Sequence, residues 1–452
     1  MRKQIAHIVQ RIWQSATQRV MSITVLGMAM SLLVDLFIAT RLGATAEADA
    51  LIIALTLPRL IEITAREGTR FSLLTTFVDA KERLTTNKFE RFVSSLLNLF
   101  LAAGGILVVL GWILAPVAMS LMAPGLSEAA RIEATQLFRY AIPLTIFALG
   151  STVLEAFLNS LAHFMAASVR NAVISTIVVV GIMLAWHGQQ MPMWTIVGYT
   201  VGYCLFFLWL LRYTLVRIDF QYHWKAWPGR DDFTNFWRAI FYPTAGLSVR
   251  QGSRIVENAL ASLVAPGGVS AYYFAFRLIS AAQTIVGVSI ATTGLPRIAQ
   301  YALDGDREKF ARALRSQITK VVAVSLPVVV MIMLFGRQIV GLLFGRGEVT
   351  AESIQTITQI VKYLSVSLVF WSIVSILNSA LFALQKYSWT LYNIIVNTVV
   401  HLLLAWLLSF RWGLVGLAVA TTFLTALRAV STNALIHYAL KQEHLEVKAE
   451  GR

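Results

Sequence analysis

Apolar runs of about 20 residues or more recur along the whole chain, separated by short polar loops, and runs of that length match helices that cross a bilayer core. The pattern predicts about twelve spans, over 20–40, 49–78, 93–121, 134–161, 165–186, 193–215, 235–264, 268–298, 320–344, 354–384, 387–409 and 413–438. An all-α integral membrane protein is therefore expected. The first 19 residues form an amphipathic lead-in with no small-residue cleavage site before the first run, so they are expected to be retained.

One span departs from the pattern. Ala48–Arg83 is mostly apolar, yet it carries Glu62, Arg66, Glu67 and Arg70 near its middle, and Pro58 and Gly68 interrupt it. Glu62, Arg66 and Arg70 stand at i, i+4 and i+8, one stripe on a helix face, where opposite charges pair. Charge inside a membrane helix is costly and marks a functional position by default. A helix broken at membrane depth is tolerated where it faces protein or water. The favoured expectation is a polar cavity with this helix on its wall; the alternative is a helix end reaching the cytoplasm, since Asp79–Arg83 is aqueous in character.

Composition agrees with membrane residence: 57% of residues are hydrophobic and 13% charged, against about 25% charged in soluble domains. The net charge of +15 sits mostly in short loops, so it reports topology and does not imply nucleic acid. Basic residues cluster at Arg2, Lys3, Arg11 and Arg19, at Lys81–Arg91, at Arg170, at Arg217–Arg230, at Arg307–Arg315, at Lys386 and at Lys441–Arg452. These segments share one side if the spans are counted as above, which places both termini in the cytoplasm. The single cysteine, Cys204, excludes an internal disulfide and a multi-cysteine metal site.

The chain also repeats. Leu158-Asn159-Ser160 recurs as Leu377-Asn378-Ser379, ATQLFRYAIPL (134–144) as ITQIVKYLSVS (357–367), Arg170-Asn171 as Tyr392-Asn393, and Trp186 as Trp406. A separation near half the chain is the signature of an internal duplication, and six spans per copy make the copies parallel. The expected organisation is two pseudo-symmetric six-helix lobes around a central cleft: an N-lobe over 20–216, a cytoplasmic linker over 217–234, a C-lobe over 235–438 and a tail over 439–452.

Candidate chemistry concentrates on charged positions inside spans. Arg250, Arg254 and Glu257 fall on one face of the seventh span, and paired guanidiniums suit a phosphate. Glu257 either steadies an arginine or titrates as a coupling group. Tyr273 and Arg277 suit a sugar or phosphate contact in the eighth span. Asp35, Asp49, Glu62, Glu67 and Glu155 are coupling or ion-pair candidates. Arg428 is expected to reach the interface or pair, and His401 to be a satisfied bundle histidine. The chain has no Walker A sequence, so direct ATP use is not expected, and no catalytic triad or metal cluster is evident.

Asp35…Gly43…Asp49-Ala50…Leu57-Pro58…Glu67-Gly68…Phe71-Ser72, SVRQGSRIVENALASLVAPGGVSAYYFAFRL, GLPRIAQYALDGDREKFARAL and GLLFGRGEVTAES together resemble the MviN/MurJ family of lipid II flippases, over roughly residues 20–440. The resemblance implies the fold of the MOP exporter superfamily. It also implies movement of a polyisoprenyl-diphosphate-linked saccharide across the bacterial inner membrane, and a divergent member without the family's two extra C-terminal helices. Arg277 matches the family's eighth-span arginine. Met28, Val34 and Glu62 stand where the family shows arginine, whereas Arg66, Arg70, Arg250 and Arg254 are additional here. The cationic character is thus expected to have moved to the second and seventh spans.

The expected partners are a lipid-linked saccharide and membrane lipids, with no cofactor and with a proton, sodium or the membrane potential as driving force. The alternatives are an ion-coupled multidrug or cation antiporter of the same superfamily and a non-transporting scaffold of a glycan-synthesis complex. An integral membrane glycosyltransferase would need a large extramembrane loop, which the pattern lacks.

Overall fold

A computed structural model describes the backbone of residues 2–186, 188, 190–303, 306–384 and 387–450, with side chains from 18 to 441 apart from short gaps. Lys386 and Arg452 lie outside the described residues, as do the side chains of Arg2, Lys3, Arg11, Arg230 and Lys448. The helices are α1 (Arg2–Leu42), α2 (Ala46–Arg83), α3 (Thr86–Met122), α4 (Glu128–Ala141), α5 (Leu144–Ser160), α6 (Phe164–Ser168), α7 (Arg170–Leu184), α8 (Met191–Arg217), α9 (Arg230–Val264), α10 (Gly268–Leu303), α11 (Arg307–Phe344), α12 (Ala351–Ala383) and α13 (Tyr387–Glu450). Eight stretches among the described residues are long and apolar enough to cross a membrane.

Two expected spans take a different form. The run over 134–161 is split into α4 and α5 at Pro143, which has no N–H to continue a helix and clashes with the preceding turn. The run over 165–186 divides into the short α6 and α7. The last two runs are two helices, as expected, the two arms of α13, which meet at a kink at Gly413, where φ is 59° and ψ −140°; that backbone conformation suits glycine. Conversely, α2 is continuous through both Pro58 and Gly68. Neighbouring helices compensate for a proline in a membrane bundle.

Exposed apolar side chains identify the faces turned to lipid. On α3, Val109, Ile113, Val117 and Leu121 are exposed at four-residue intervals; on α11, Leu326, Val330 and Leu334 follow the same spacing. Those intervals align side chains along one helix face.

The chain divides into two compact units. Unit 1 comprises Met1–Arg41, Ala50–Met122 and Ser127–Leu247; unit 2 comprises Leu42–Asp49, Ala123–Leu126 and Ser248–Arg452. Unit 1 is built around Phe157, whose ring lies 6.2 Å from Phe77, 5.9 Å from Phe89 and 5.2 Å from Phe220. Its polar segment after α8 is fastened by Asn98 of α3, whose amide donates to the carbonyls of Trp224 (3.1 Å) and Ala226 (2.8 Å).

In unit 2, Phe274 of α10 packs against Phe344 of α11 at 5.5 Å. The start of α10 is held by Asp49, which is fully buried. Its carboxylate accepts from the N–H groups of Gly267 (2.8 Å) and Ser270 (2.7 Å). A carboxylate at a helix N-terminus satisfies amides that have no partner within the helix and meets the positive end of its dipole. Gly267 itself has φ +77°, and a side chain there would collide with the carbonyl of Ala44.

Candidate functional site

Each unit contains a polar cavity. The cavity in unit 1 has a volume of about 170 Å³ and is lined from α1, α2, α5, α6 and α7. Arg66 and Arg70 reach it from α2, Glu155 and Asn159 from α5, and Arg170 and Asn171 from α7. Its charges are closely paired. Glu62 is buried and accepts from Arg66 Nε at 2.9 Å and from Arg170 Nη1. Arg170 Nε also lies 3.7 Å from Glu155 Oε1, and Arg66 Nη1 lies 2.5 Å from Glu67 Oε1. Among the described residues the lining itself carries three arginines and one carboxylate, Glu155, and two further carboxylates outside the lining, Glu62 and Glu67, pair with Arg66 and Arg170.

The cavity in unit 2 is larger, about 580 Å³. Arg250, Arg254 and Glu257 line it from α9, Phe276 and Ser280 from α10, Trp371 and Asn378 from α12, and Asn393 and Arg428 from α13. Here three arginines stand beside one carboxylate. The Arg254 guanidinium lies over the Phe276 ring, 3.5 Å from its centroid, and its Nε is 3.9 Å from Glu257 Oε2. Glu257 Oε1 is 2.9 Å from His401 Nε2. Arg428 donates from Nη2 to Thr398 at 3.1 Å, while its buried Nε has no hydrogen-bond partner among the described residues.

The two cavities differ in internal pairing. In unit 1 the guanidiniums of Arg66 and Arg170 are already engaged by carboxylates, so a phosphate reaching them must displace internal ion pairs. In unit 2 the arginines outnumber the acid, and amide and hydroxyl groups from Gln251, Gln283, Asn378 and Thr425 complete the lining. Guanidiniums grip phosphate oxygens through paired N–H donors, and neutral amides and hydroxyls serve sugar hydroxyls.

The sequence-derived candidates distribute as follows. Arg250, Arg254 and Glu257 share one cavity wall, and Arg66, Arg70 and Glu155 share the other. Glu62 and Glu67 belong to the ion-pair network of unit 1. Tyr273 and Arg277 do not line the unit 2 cavity; their neighbours Phe276 and Ser280 do, because successive helix residues point about 100° apart. Asp35 is buried in α1, outside the lining of the unit 1 cavity. Asp49 meets backbone amides at the start of α10.

Two residues that the sequence placed in structural roles, Arg428 as a pairing residue and His401 as a bundle histidine, have those partners and also stand at the unit 2 cavity. Arg428 lies on the cavity wall, and His401 sits directly behind Glu257. Both belong to polar stripes at helical spacing, Thr421-Thr425-Arg428-Thr432 and Asn393-Asn397-His401, and those stripes were the available signal.

The family described as Lipid II flippase MurJ matches residues 38–448. A probable lipid II flippase MurJ of Thermotoga maritima is 24% identical over 390 residues, covering 86% of this chain and 78% of the relative. One of Vibrio cholerae is 24% identical over 425 residues, covering 89% and 79%. Among solved structures, a lipid II flippase MurJ in an inward closed conformation superposes with a TM-score of 0.81 at 19% identity, over 91% of this chain and 86% of that one. An inward-facing multidrug resistance MATE family transporter of the MOP superfamily gives 0.79 at 15% identity, over 94% and 98%.

Proposed function

The chain belongs to the lipid II flippase MurJ family, and from that premise we propose that it moves a polyisoprenyl-diphosphate-linked saccharide, lipid II or a related envelope precursor, across the bacterial inner membrane by alternating access. It is a multi-pass membrane transporter, and both termini face the cytoplasm in this reading. The step involves no bond chemistry. It requires a site whose affinity for the headgroup differs between two states of the protein.

The observation that carries the reading is the unit 2 cavity. Among the described lining residues, Arg250, Arg254 and Arg428 supply three guanidiniums against one carboxylate, Glu257. The diphosphate binds this excess positive charge, and the saccharide meets the amide and hydroxyl lining. An exporter of organic cations needs the opposite balance, acidic and aromatic, although the fold is shared with the MATE transporter. Arg66, internally compensated by Glu62 and Glu67, and Arg70 form a secondary contact in unit 1. Outward movement of each negative charge is favoured by about 2.3 kcal/mol per 100 mV of potential, negative inside.

The test is reconstitution of the full chain in liposomes containing lipid II labelled on its saccharide. Potential-stimulated appearance of the label in the opposite leaflet is expected. Failure to move lipid II or related diphosphate-linked saccharides, together with export of cationic dyes, would assign the protein to the drug-exporting branch of the superfamily.

A further inference from the structure

Anion binding by the unit 2 cavity does not by itself require a buried histidine, yet one stands directly behind the Glu257 of its wall. Glu257 is 4% exposed and His401 0%, and their 2.9 Å contact joins α9 to the first arm of α13. Two atoms of the pair, Glu257 Oε2 and His401 Nδ1, have no hydrogen-bond partner among the described residues. The pair therefore has room to gain or lose a proton without dismantling a saturated network.

The charged and titratable groups around the pair come from three helices. α9 contributes Arg254, 3.9 Å from Glu257 Oε2, with Arg250 on the same wall. α13 contributes Arg428 from its second arm. α10 contributes Tyr272, whose hydroxyl lies 2.8 Å from Thr421 Oγ1. α12 brings only neutral groups to the lining, among them Ser375, Asn378 and Ser379. Three guanidiniums consequently oppose any further positive charge on the pair. An anion seated among them cancels that opposition. A proton arriving on the pair also weakens the hold of Glu257 on Arg254 and frees that guanidinium for a phosphate oxygen.

We infer that Glu257 and His401 form a proton-binding site linked to the anion in the same cavity: a diphosphate bound by Arg250, Arg254 and Arg428 draws a proton onto the pair, and release of the anion discharges it. The inference rests on the reading of this cavity as a diphosphate site. Linkage makes the effect reciprocal, so protonation raises anion affinity by the same factor.

The experiment is calorimetric titration of the full-length protein in detergent with UDP-N-acetylglucosamine. This soluble diphosphate sugar has both phosphates esterified, so its own charge is constant between about pH 5.5 and 8.5, the range over which histidine titrates. For the wild type, affinity is expected to fall with rising pH, at a slope approaching tenfold per unit for one linked proton. His401→Gln, which retains an N–H donor towards Glu257, is expected to bind with a flat profile. Glu257→Gln, which retains an acceptor for His401, is expected to bind at the acid end while losing the wild-type profile. A flat wild-type profile, or an unchanged slope in both variants, overturns the proton site and leaves the anion site standing. Absence of binding in every form at every pH overturns the diphosphate reading itself, and the proton site with it.

Discussion

Arg170, at the first position of α7, donates from Nη1 to Glu62 in the middle of α2, a residue 108 positions earlier. Both side chains are nearly buried, at 11% and 5% exposure. The pair ties two helices of unit 1 together beside its cavity, and Glu155 and Arg66 extend the tie to α5 and along α2. Removing one partner of a buried ion pair strands the other charge, at a cost of about 3–5 kcal/mol. Arg170→Ala is expected to lower the thermal unfolding midpoint of the purified protein sharply. The Arg170→Ala/Glu62→Ala double variant is expected to lose less than the sum of the two single variants, since contacting residues couple.

Asp49 provides a second structural test. Its carboxylate serves the amides of Gly267 and Ser270 at the start of α10. Asp49→Ala leaves two buried donors unsatisfied, at about 1–3 kcal/mol each. Asp49→Asn, which keeps one carbonyl oxygen, is expected to cost less. Thermal unfolding of the two variants in the same detergent distinguishes them, and equal midpoints would show that the amides find other acceptors.

The polar segment after α8 is held by side chains of α3: Glu90 accepts from the Gln221 N–H at 3.2 Å, Ser94 from the His223 N–H at 3.1 Å, and Asn98 makes the most contacts. Asn98 Nδ2 meets the carbonyls of His223, Trp224 and Ala226, and Tyr222 donates to its Oδ1. Asn98→Ala is expected to raise amide hydrogen exchange across 218–229 while α3 and α8 keep their protection. Unchanged exchange in that segment would contradict the tether.

Asp306 gives a pH dependence with a defined sign. It caps α11, accepting from the Lys309 N–H at 3.0 Å, with Lys309 Nζ 2.8 Å from its other oxygen. These hydrogen bonds hold its carboxyl below the ordinary carboxylate range. A folded value below the unfolded one means that the cap contributes above the ordinary carboxylate pKa and is lost as pH falls through the folded value. Exchange protection in the first turn of α11 is expected to fall on acidification in the wild type, and to be pH-independent in Asp306→Asn.

Much of this architecture could be read from the chain. Hydrophobic run length located the spans, and the repeated asparagines found their meaning in three dimensions. Asn159 and Asn171 line the cavity of unit 1, while Asn378 and Asn393, their counterparts in the duplication, line that of unit 2. The i, i+4, i+7 spacing also brought Arg250, Arg254 and Glu257 to one wall, because periodicity fixes a helix face without knowledge of its neighbours. Which face meets which neighbour is a tertiary property. In α10 it is Phe276 and Ser280, one and three positions from Arg277, that line the unit 2 cavity. The partners of Glu62 and Glu257, Arg170 and His401, are distant in sequence and became visible only on folding.

The most direct measurement compares rates of lipid II movement in liposomes for the wild type, the Arg250→Ala/Arg254→Ala/Arg428→Ala variant and Arg70→Ala. A hydrogen bond to a charged group contributes about 1.5–3 kcal/mol, equivalent to about tenfold or more for each arginine. The triple variant is expected to lose at least about a hundredfold in rate at normal folded yield, and Arg70→Ala much less. A well-folded triple variant that moves lipid II at the wild-type rate would contradict the assignment of the unit 2 cavity as the headgroup site.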